Sequence, residues 1–376
     1  MKFIASSSSL LRKLTQLNGV VSSNAVIPIL EYFLFEIENG VLSITSTDLE
    51  TSMRSSIPVE SKEDGRVAIP AKLIIDFLKT LPEQPITFTL NPDDNNIDLT
   101  TDKGKYKISG ENPDDFPKMP EIENASKFSL GAAALQNAIA STLFAVSTNE
   151  LRPSMTGLLF EMDSQGEARW VSTDGNKLVR YTRSDVEFDS SASFIVPKKA
   201  LNLLKSTLPS EDMAISINYN NHNVKFNFND FTLVCRLIDE NFPDYRSAIP
   251  AQNPFKLLIG RQELMGSLKR IANFSNKTTY QVRFKITGSE LHVSAQDIDF
   301  SNEAFERLPC EYEGEDMEIG FNARFLVEML NVIDTEQVAI NLSAYNRPGI
   351  IKPAEDSDSE DLLMLLMPIV LNTQGI

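Results

Sequence analysis

The sequence predicts an α+β protein built from three tandem copies of one domain, each with two short helices on an antiparallel sheet. Three observations predict it: a recurring segment, paired stretches with apolar residues at helical spacing, and strands of strict alternation. The segment Val67 to Pro82 (VAIPAKLIIDFLKTLP) returns as Ile195 to Pro209 (IVPKKALNLLKSTLP) and, more loosely, as Ile319 to Ile333. Pro70, Pro197 and Asn322 stand 127 and 125 residues apart, close to one third of the 376-residue chain. Ser46-Thr47-Asp48 likewise returns as Ser172-Thr173-Asp174 and as Ala295-Gln296-Asp297, and the opening Phe3 as Phe128 and Phe255. Such a period far exceeds the ~20 to 50 residues of solenoid repeats, so each copy is expected to be a complete domain. The expected boundaries are 1–120, 125–247 and 253–376.

Within a copy the elements follow from periodicity. Leu10, Leu14 and Leu17 share one helical face, as do Ile74, Phe77, Leu78 and Leu81, which predicts helices over 8–18 and 70–81. The repeat extends these to 131–147, 197–208, 260–275 and 322–333. Ile86, Phe88 and Leu90 alternate with polar residues, as do Val224, Phe226 and Phe228, and Val338, Ile340 and Leu342, the pattern of half-buried strands. Turn chemistry sits between strands at Asn39-Gly40, Asp102-Lys103-Gly104 and Gly288-Ser289. Segments 112–124 and 241–254, rich in Pro, Asp and Asn, separate the copies. The longest apolar run, Leu362 to Leu371, is interrupted by Pro368 and reads as a buried strand with the proline at an edge or bulge. It is well short of the ~18 residues that cross a bilayer, and no membrane partner is expected.

Hydrophobic residues at 42% and charged residues at 23% belong to a folded chain. The net charge of −17 argues at face value against binding nucleic acid. Its distribution reverses that impression. The six predicted helices hold eleven basic residues (Arg12, Lys13, Lys72, Lys79, Lys198, Lys199, Lys205, Arg261, Lys269, Arg270, Arg324) and three acidic ones (Asp76, Glu263, Glu328). The helices therefore carry +8 and the remainder −25. Lys and Arg are good helix formers, but Glu is equally good and nearly absent, so propensity does not account for the bias. A basic helical surface suits a polyanion held through its phosphates, and acidic surroundings keep the rest of the protein off the same polymer.

Catalytic constellations are missing. Cys235 and Cys310 have no paired spacing, which fits a reducing, cytoplasmic compartment. His222 lies in an Asn-rich turn and His292 on an alternating strand, and no phosphate loop, zinc motif or nucleophile elbow is present. Asp356, Asp358, Glu360 and Asp361 read as a solvated acidic loop, since no glycine sets the turn of a calcium loop. Thr173-Asp174-Gly175 reads as a turn, with no histidine nearby to activate a nucleophile. No catalytic residue, metal site or cofactor is expected.

Met1-Lys2-Phe3, Val26 to Leu30 (VIPIL), Ser172 to Gly175 with Leu178, Asn241 to Arg246 (NFPDYR), Gly320-Phe321-Asn322, Met367-Pro368 and the triple repeat together resemble the bacterial sliding clamps, the beta subunits of DNA polymerase III. The resemblance covers essentially the whole chain. It implies the DNA clamp fold: a head-to-tail homodimer forming a six-domain ring around double-stranded DNA, independent of sequence, with helices lining the hole. It implies a non-catalytic processivity factor that tethers the replicative polymerase and docks the clamp loader and repair proteins through a short peptide containing Gln, Leu and Phe. Matched position by position, the peptide cleft is Met155, Thr173, Gly175, Asn176, Lys177, Leu178, Pro243, Ser247, Ala248, Asn322, Phe325, Asn346, Leu365, Met367, Pro368 and Ile369. The DNA-facing set is Arg12, Lys13, Asn24, Lys72, Lys79, Asn149, Arg152, Lys198, Lys199, Lys205, Arg246, Lys269 and Arg270. Ring closure would set Phe77 and Ile108 against Asn273 and Phe274, with Lys103, Lys105 and Lys107 opposing Asp297, Asp299, Glu303 and Glu306.

Departures from the family pattern are Asn176-Lys177 where His-Arg is common, Asn24 where many members have arginine, Pro153-Ser154 where an aromatic pair is usual, and an end, Val370 to Ile376, that runs past the usual terminus. The competing reading is a repeat-built scaffold that uses the cleft alone and holds no DNA.

Overall fold

The computed structural model describes residues 1–371 apart from 92–93, 164–165, 187, 189–190, 212 and 356. Asp356 of the acidic loop and the end of the C-terminal extension, 372–376, lie outside the described residues. Among the described residues six α-helices are present: α1 (Ser7–Leu17), α2 (Ala71–Lys79), α3 (Ala132–Thr142), α4 (Lys198–Thr207), α5 (Arg261–Ile271) and α6 (Ala323–Asn331). The starts of α2, α4 and α6 are spaced by 127 and 125 residues, the period read from the prolines. All eleven basic and three acidic residues of the charge census fall inside these shorter bounds.

The helices form where expected because their apolar spacing finds a sheet to cover. Leu10, Leu14 and Leu17 of α1, Ile74 and Leu78 of α2, and Leu264, Leu268 and Ile271 of α5 are all buried. Ser6 caps α1 by accepting from the Ser9 amide at 3.4 Å, and Asn322 caps α6 by accepting from the amides of Arg324 (2.9 Å) and Phe325 (3.2 Å). The helix expected over 131–147 stops earlier: Thr142 turns its hydroxyl back to the Ala138 carbonyl, and a 3-10 turn, Leu143–Ala145, follows.

The chain packs as two compact units. The first comprises residues 1–136 and 199–237 and holds two antiparallel sheets. One has five strands, in the order Glu60–Ser61, Lys2–Ser6, Pro85–Leu90, Asn96–Thr100 and Lys105–Ser109. The other has eight, and it joins strands of the first copy to strands of the second through Thr51–Pro58 and Phe231–Arg236, with Met53 opposite Leu233. The second unit, 137–198 and 238–376, holds a nine-stranded sheet and a four-stranded sheet. In the nine-stranded sheet Lys177–Arg183 of the second copy pairs with Glu360–Leu366 of the third. Copies defined by sequence and units defined by packing therefore differ: sheet hydrogen bonds run through the copy boundaries, and the middle copy is shared between the units.

Local turns follow their residues. Asn39 and Gly40 both have positive φ, 51° and 78°, the conformation that Asn-Gly adopts at little cost in a two-residue hairpin. The C-terminal run differs from expectation. Its strand ends at Leu366, and Pro368 lies outside it, after which the Ile369 amide donates to the Gly320 carbonyl at 2.8 Å.

Lys13 needs correction as a DNA-facing residue. It is 8% exposed, its ammonium lies 2.6 Å from Asp230 and 4.4 Å from the centre of the Phe231 ring, and Ser55 donates to the same carboxylate. The charge of Lys13 is thus spent inside the first unit. Burial pushes the Asp230 carboxyl up, but the Lys13 and Ser55 bonds outweigh it and hold it below the ordinary 3.8. Removing Asp230 strands a buried cation, so Asp230→Ala should lower the unfolding free energy by about 2 kcal/mol, less than for a fully buried pair because Asp230 is partly exposed. With its folded value depressed, the carboxylate stabilises fully above about 3.8 and loses that contribution as pH falls through the lower folded value. Urea unfolding of wild type and Asp230→Ala should accordingly differ at neutral pH and converge below about pH 4.

Candidate functional site

One face of the nine-stranded sheet carries Thr173, Leu178 and Leu365 of the expected cleft. In the register of its strands Leu178 stands opposite both Thr173 and Leu365, while Arg180 stands opposite Val171 and Leu363. Because side chains alternate, Leu159, Val171, Leu178, Leu363 and Leu365 point the same way. They form one buried apolar cluster with Ile195, Tyr245 and Ile350, and Ile238, Phe242 and Ile249 pack against it. The segment over this face is a 3-10 turn, Tyr245–Ala248, that leaves Ser247 and Ala248 exposed with Pro243 half-buried beside them. Met367 is 42% exposed next to the cluster's own strand. The leucines are a buried core beneath the turn, and the exposed Met367, Asn176, Ser247 and Ala248 are the accessible surface beside them.

The turn is tied down by a carboxylate. Glu161 accepts from the Tyr245 hydroxyl at 2.8 Å and from Arg246 Nη2 at 2.8 and 2.7 Å. Burial, followed by this bond to Glu161, pushes the Tyr245 phenol up to about 12, so it remains a donor at all ordinary pH. Arg246, expected to face DNA, is engaged here, its guanidinium bonded to Glu161 and over the Tyr245 ring.

Other expected cleft residues have structural duties. The Thr173 hydroxyl donates to the Lys177 carbonyl at 2.7 Å and accepts from the Gly175 amide, while Asp174 accepts from the amides of Asn176 and Lys177, closing a turn in which Gly175 has φ 90°. Lys177 does not form a rim. It is buried, paired with Glu328 at 2.8 Å and Asp174 at 3.4 Å, and its ammonium lies 4.0 Å from the centre of the Phe325 ring. Asn322 spends its side chain capping α6 and donating to the Thr279 carbonyl. Asn176 is exposed, and its carbonyl accepts from the Met367 amide at 2.9 Å, which aligns the exposed methionine. Met155 is half-buried and Asn346 exposed. The sequence reading missed Leu159, Val171, Ile195, Phe242, Tyr245, Ile249, Ile350 and Leu363. Alternation through Val171 and Thr173, and through Leu363 and Leu365, was the available signal for two of them.

The basic helix positions divide into two kinds. Arg12, Lys72, Lys205 and Lys269 are exposed and form no ion pair among the described residues. Lys79 lies 3.7 Å from Asp76, Lys199 bonds Asp48 and the Val20 carbonyl, and Lys198 is half-buried with its ammonium near the Val146 carbonyl. Arg270 makes a two-pronged bond to Glu306, which holds that carboxyl below its ordinary value. Asn24, with φ 61°, and Asn149 and Arg152 are on exposed turns.

Among the strands that end the four sheets are Lys105–Ser109 in the first unit and Asn302–Pro309 in the second, each paired on one side only. On the former, Lys105, Tyr106 and Lys107 are exposed, as is Lys103 before it, and Tyr106 packs on the half-buried Phe77 with ring centres 4.7 Å apart. Ile108 is 5% exposed and faces its own core, so it is not available to a partner. On the latter, Glu303 and Phe305 are exposed, and Asp299, Ile298, Phe300, Asn273 and Phe274 are exposed nearby. Asp297 must be removed from this set: it is 2% exposed and accepts from the Asp299 amide. Glu306 is committed to Arg270.

Against this geometry, family sequence models described as the N-terminal, central and C-terminal domains of the DNA polymerase III beta subunit match residues 1–120, 129–244 and 246–367. The beta sliding clamp of Vibrio cholerae is 29% identical over 373 residues, covering 99% of this chain and 100% of the relative. That of Pseudomonas putida is 30% identical over 367 residues, covering 97% and 99%. A crystal structure of the Pseudomonas aeruginosa sliding clamp bound to griselimycin superposes with a TM-score of 0.93 at 29% identity, covering 99% of this chain and 100% of that one.

The C-terminal segment reaches the cleft because residue 320 lacks a side chain. A Cβ at Gly320 would sit 2.5 Å from the Ile369 carbonyl oxygen, a backbone atom that cannot simply rotate away. Gly320→Ala should release the bond from the Ile369 amide to residue 320, and hydrogen exchange at Ile369 should accelerate by at least about tenfold while α6 keeps its protection. Unchanged protection at Ile369 would show that the segment is held without this approach.

Proposed function

The chain belongs to the DNA polymerase III beta subunit family, and from that membership we propose that it is a sliding clamp: a non-catalytic homodimeric ring that encloses duplex DNA and keeps the replicative polymerase on it. The observation that carries the reading is the segregation of charge. Eleven of the chain's 35 basic residues lie on six helices with only three acidic ones, in a protein of net −17. Such helices hold phosphates without reading bases, and the acidic remainder limits adsorption elsewhere. The reading extends to the clamp loader and repair proteins as ligands of the apolar cleft. A peptide containing Gln, Leu and Phe would set its apolar anchors beside the exposed Met367, which repacks around them. Family membership sets aside the scaffold without DNA.

Topology is the test. The protein loaded on nicked circular DNA should remain through gel filtration and leave within minutes once the circle is linearised; equal loss from both forms would defeat the ring. For the charge, Lys72→Glu, Lys205→Glu and Lys269→Glu together should leave folding intact, since exposed positions typically change stability by less than about 0.5 kcal/mol. They should weaken equilibrium binding to a duplex and reduce the slope of log affinity against log salt by about 3. An unaltered slope would place DNA elsewhere.

Ring closure is read as pairing between Lys105–Ser109 of one protomer and Asn302–Pro309 of its partner. That pairing satisfies these two edges, and Lys105 and Lys107 meet Glu303 and Asp299. Because Ile108 belongs to its own core, the suitable probes are Phe274→Ala and Lys107→Glu. Each should raise the dimer dissociation constant by about tenfold or more without changing the thermal transition of the monomer. Sedimentation showing both variants as tightly dimeric as wild type would move the interface.

A further inference from the structure

The three copies place a cation at one repeated position. The second helix of each copy opens Ala71-Lys72, Lys198-Lys199 or Ala323-Arg324, so Lys72, Lys199 and Arg324 stand 127 and 125 residues apart. Lys72 and Lys199 belong to the expected DNA-facing set, and Arg324 has no role yet. Their surroundings differ. Lys72 is exposed and makes no ion pair among the described residues, whereas Lys199 is neutralised by Asp48. Arg324 is exposed and also makes no ion pair among the described residues, yet its guanidinium carbon lies 3.5 Å from the centre of the Tyr280 ring. Glu328, one turn further along α6, is the partner that helical spacing offers, but it is taken by Lys177 at 2.8 Å.

Tyr280 supplies that ring from a costly backbone. Its φ of 48° lies in the left-handed region that bulky side chains avoid. The corresponding residues before the strands Tyr32–Glu38 and Gly157–Met162 are Glu31 and Thr156, so the aromatic ring belongs to the third copy alone. Hydrogen bonds hold it in place. The Tyr280 amide donates to the Asn276 carbonyl at 2.9 Å, and the Tyr280 carbonyl accepts from the Ala323 amide at 2.9 Å. The Asn322 side chain donates to the Thr279 carbonyl, also at 2.9 Å. Loop 276–280 is thus fastened to the residues that open α6, and ring and guanidinium keep their relation through the backbone. A guanidinium lying on a ring keeps its N–H edges free in its plane, where they can grip a phosphate through two parallel hydrogen bonds.

We propose that Arg324, seated on Tyr280, is a preorganised phosphate contact for duplex DNA, with Tyr280 as its positioning residue. The proposal rests on the reading of the basic helices as the DNA-facing surface and adds to it a contact that no other copy makes in this form. A backbone phosphate is favoured over the carboxylate of a peptide because the same helix position carries a cation in all three copies, on helices of net +8. Side-chain ordering, which an exposed lysine undergoes only on binding, is here complete beforehand.

The test uses the full-length dimer and a fluorescent duplex of mixed sequence, titrated over a series of salt concentrations. Arg324→Gln should weaken binding about fivefold at low salt and lower the slope of log affinity against log salt by about 1. Tyr280→Gly accepts the left-handed backbone and keeps the arginine but removes the ring. It should weaken binding about twofold with the slope unchanged, and Tyr280→Phe, which keeps the stack, should bind as the unaltered protein does. Unchanged affinity and slope in Arg324→Gln, with the slope still reduced by the triple substitution at Lys72, Lys205 and Lys269, overturn the contact and leave the DNA reading standing. Full affinity in Tyr280→Gly overturns the role of the ring. If Arg324→Gln leaves duplex binding intact but weakens binding of the peptide Gln-Leu-Ser-Leu-Phe, the stack serves a peptide and the proposal falls. Duplex binding by the unaltered protein that does not respond to salt defeats the DNA reading itself, and this contact with it.

Discussion

Everything at the cleft depends on one strand pairing, that of Lys177–Arg183 with Glu360–Leu366. It joins residues 181 positions apart in sequence, as at Arg180 and Asp361, and fixes which side chains share a face. A slip of one residue would turn Leu365 and Leu363 to the opposite side and set Met364 or Leu366 against Leu178, changing the shape of the leucine floor. Leu362, Met364 and Leu366 are as buried on the other side as Leu363 and Leu365 are on this one, so the apolar pattern alone does not distinguish a one-residue slip. Charged pairs at the far end, Arg180 with Asp361 and Arg183 with Glu360, penalise the same slip.

Continuity of sheets across the copies also explains the division into units. A repeat that folded as a separate domain would leave its outer strands as open edges, which attract other chains. Here the edge of the second copy at Phe231–Arg236 is covered by Thr51–Pro58, and its strand Lys177–Arg183 by Glu360–Leu366. Lys105–Ser109 and Asn302–Pro309, two of the eight strands that end the sheets among the described residues, are the pair assigned to ring closure.

Much of the fold was legible because it is written three times. The helix starts, the Asn39-Gly40 turn and the alternating strands need only local chemistry, and the second helix of each copy recurs at spacings of 127 and 125 residues. The site was less legible because exposure is a tertiary property. Lys13, Lys177 and Arg246 look like solvated cations in sequence, yet each has a carboxylate from a distant segment, Asp230, Glu328 or Glu161, within 3 Å. Periodicity places Leu178 and Leu365 on strands but cannot say that Tyr245 closes over them. Asp297 shows the reverse case, an acid in an edge hairpin whose side chain turns inward to hold its own backbone.

Charge on the two edges assigned to ring closure bears on direction as well as attraction. Lys105 and Lys107 stand on one edge; Glu303 stands on the other, with Asp299 near it and Glu306 half-neutralised by Arg270. Pairing like edge with like edge sets lysine against lysine or Glu303 against its own copy, and like charges opposite each other across strands are destabilising. Pairing unlike edges brings opposite signs together, although Arg307 on the acidic edge reduces the contrast. The apolar exposures point the same way: Tyr106 projects from the basic edge, and Phe274, Phe300 and Phe305 cluster in sequence around the acidic one. An interface between unlike edges is heterologous, so it must close into a ring or grow into a filament. Each protomer brings one edge of each kind, so two copies pair all four of these edges when the ring closes, whereas a filament leaves one unpaired at each end.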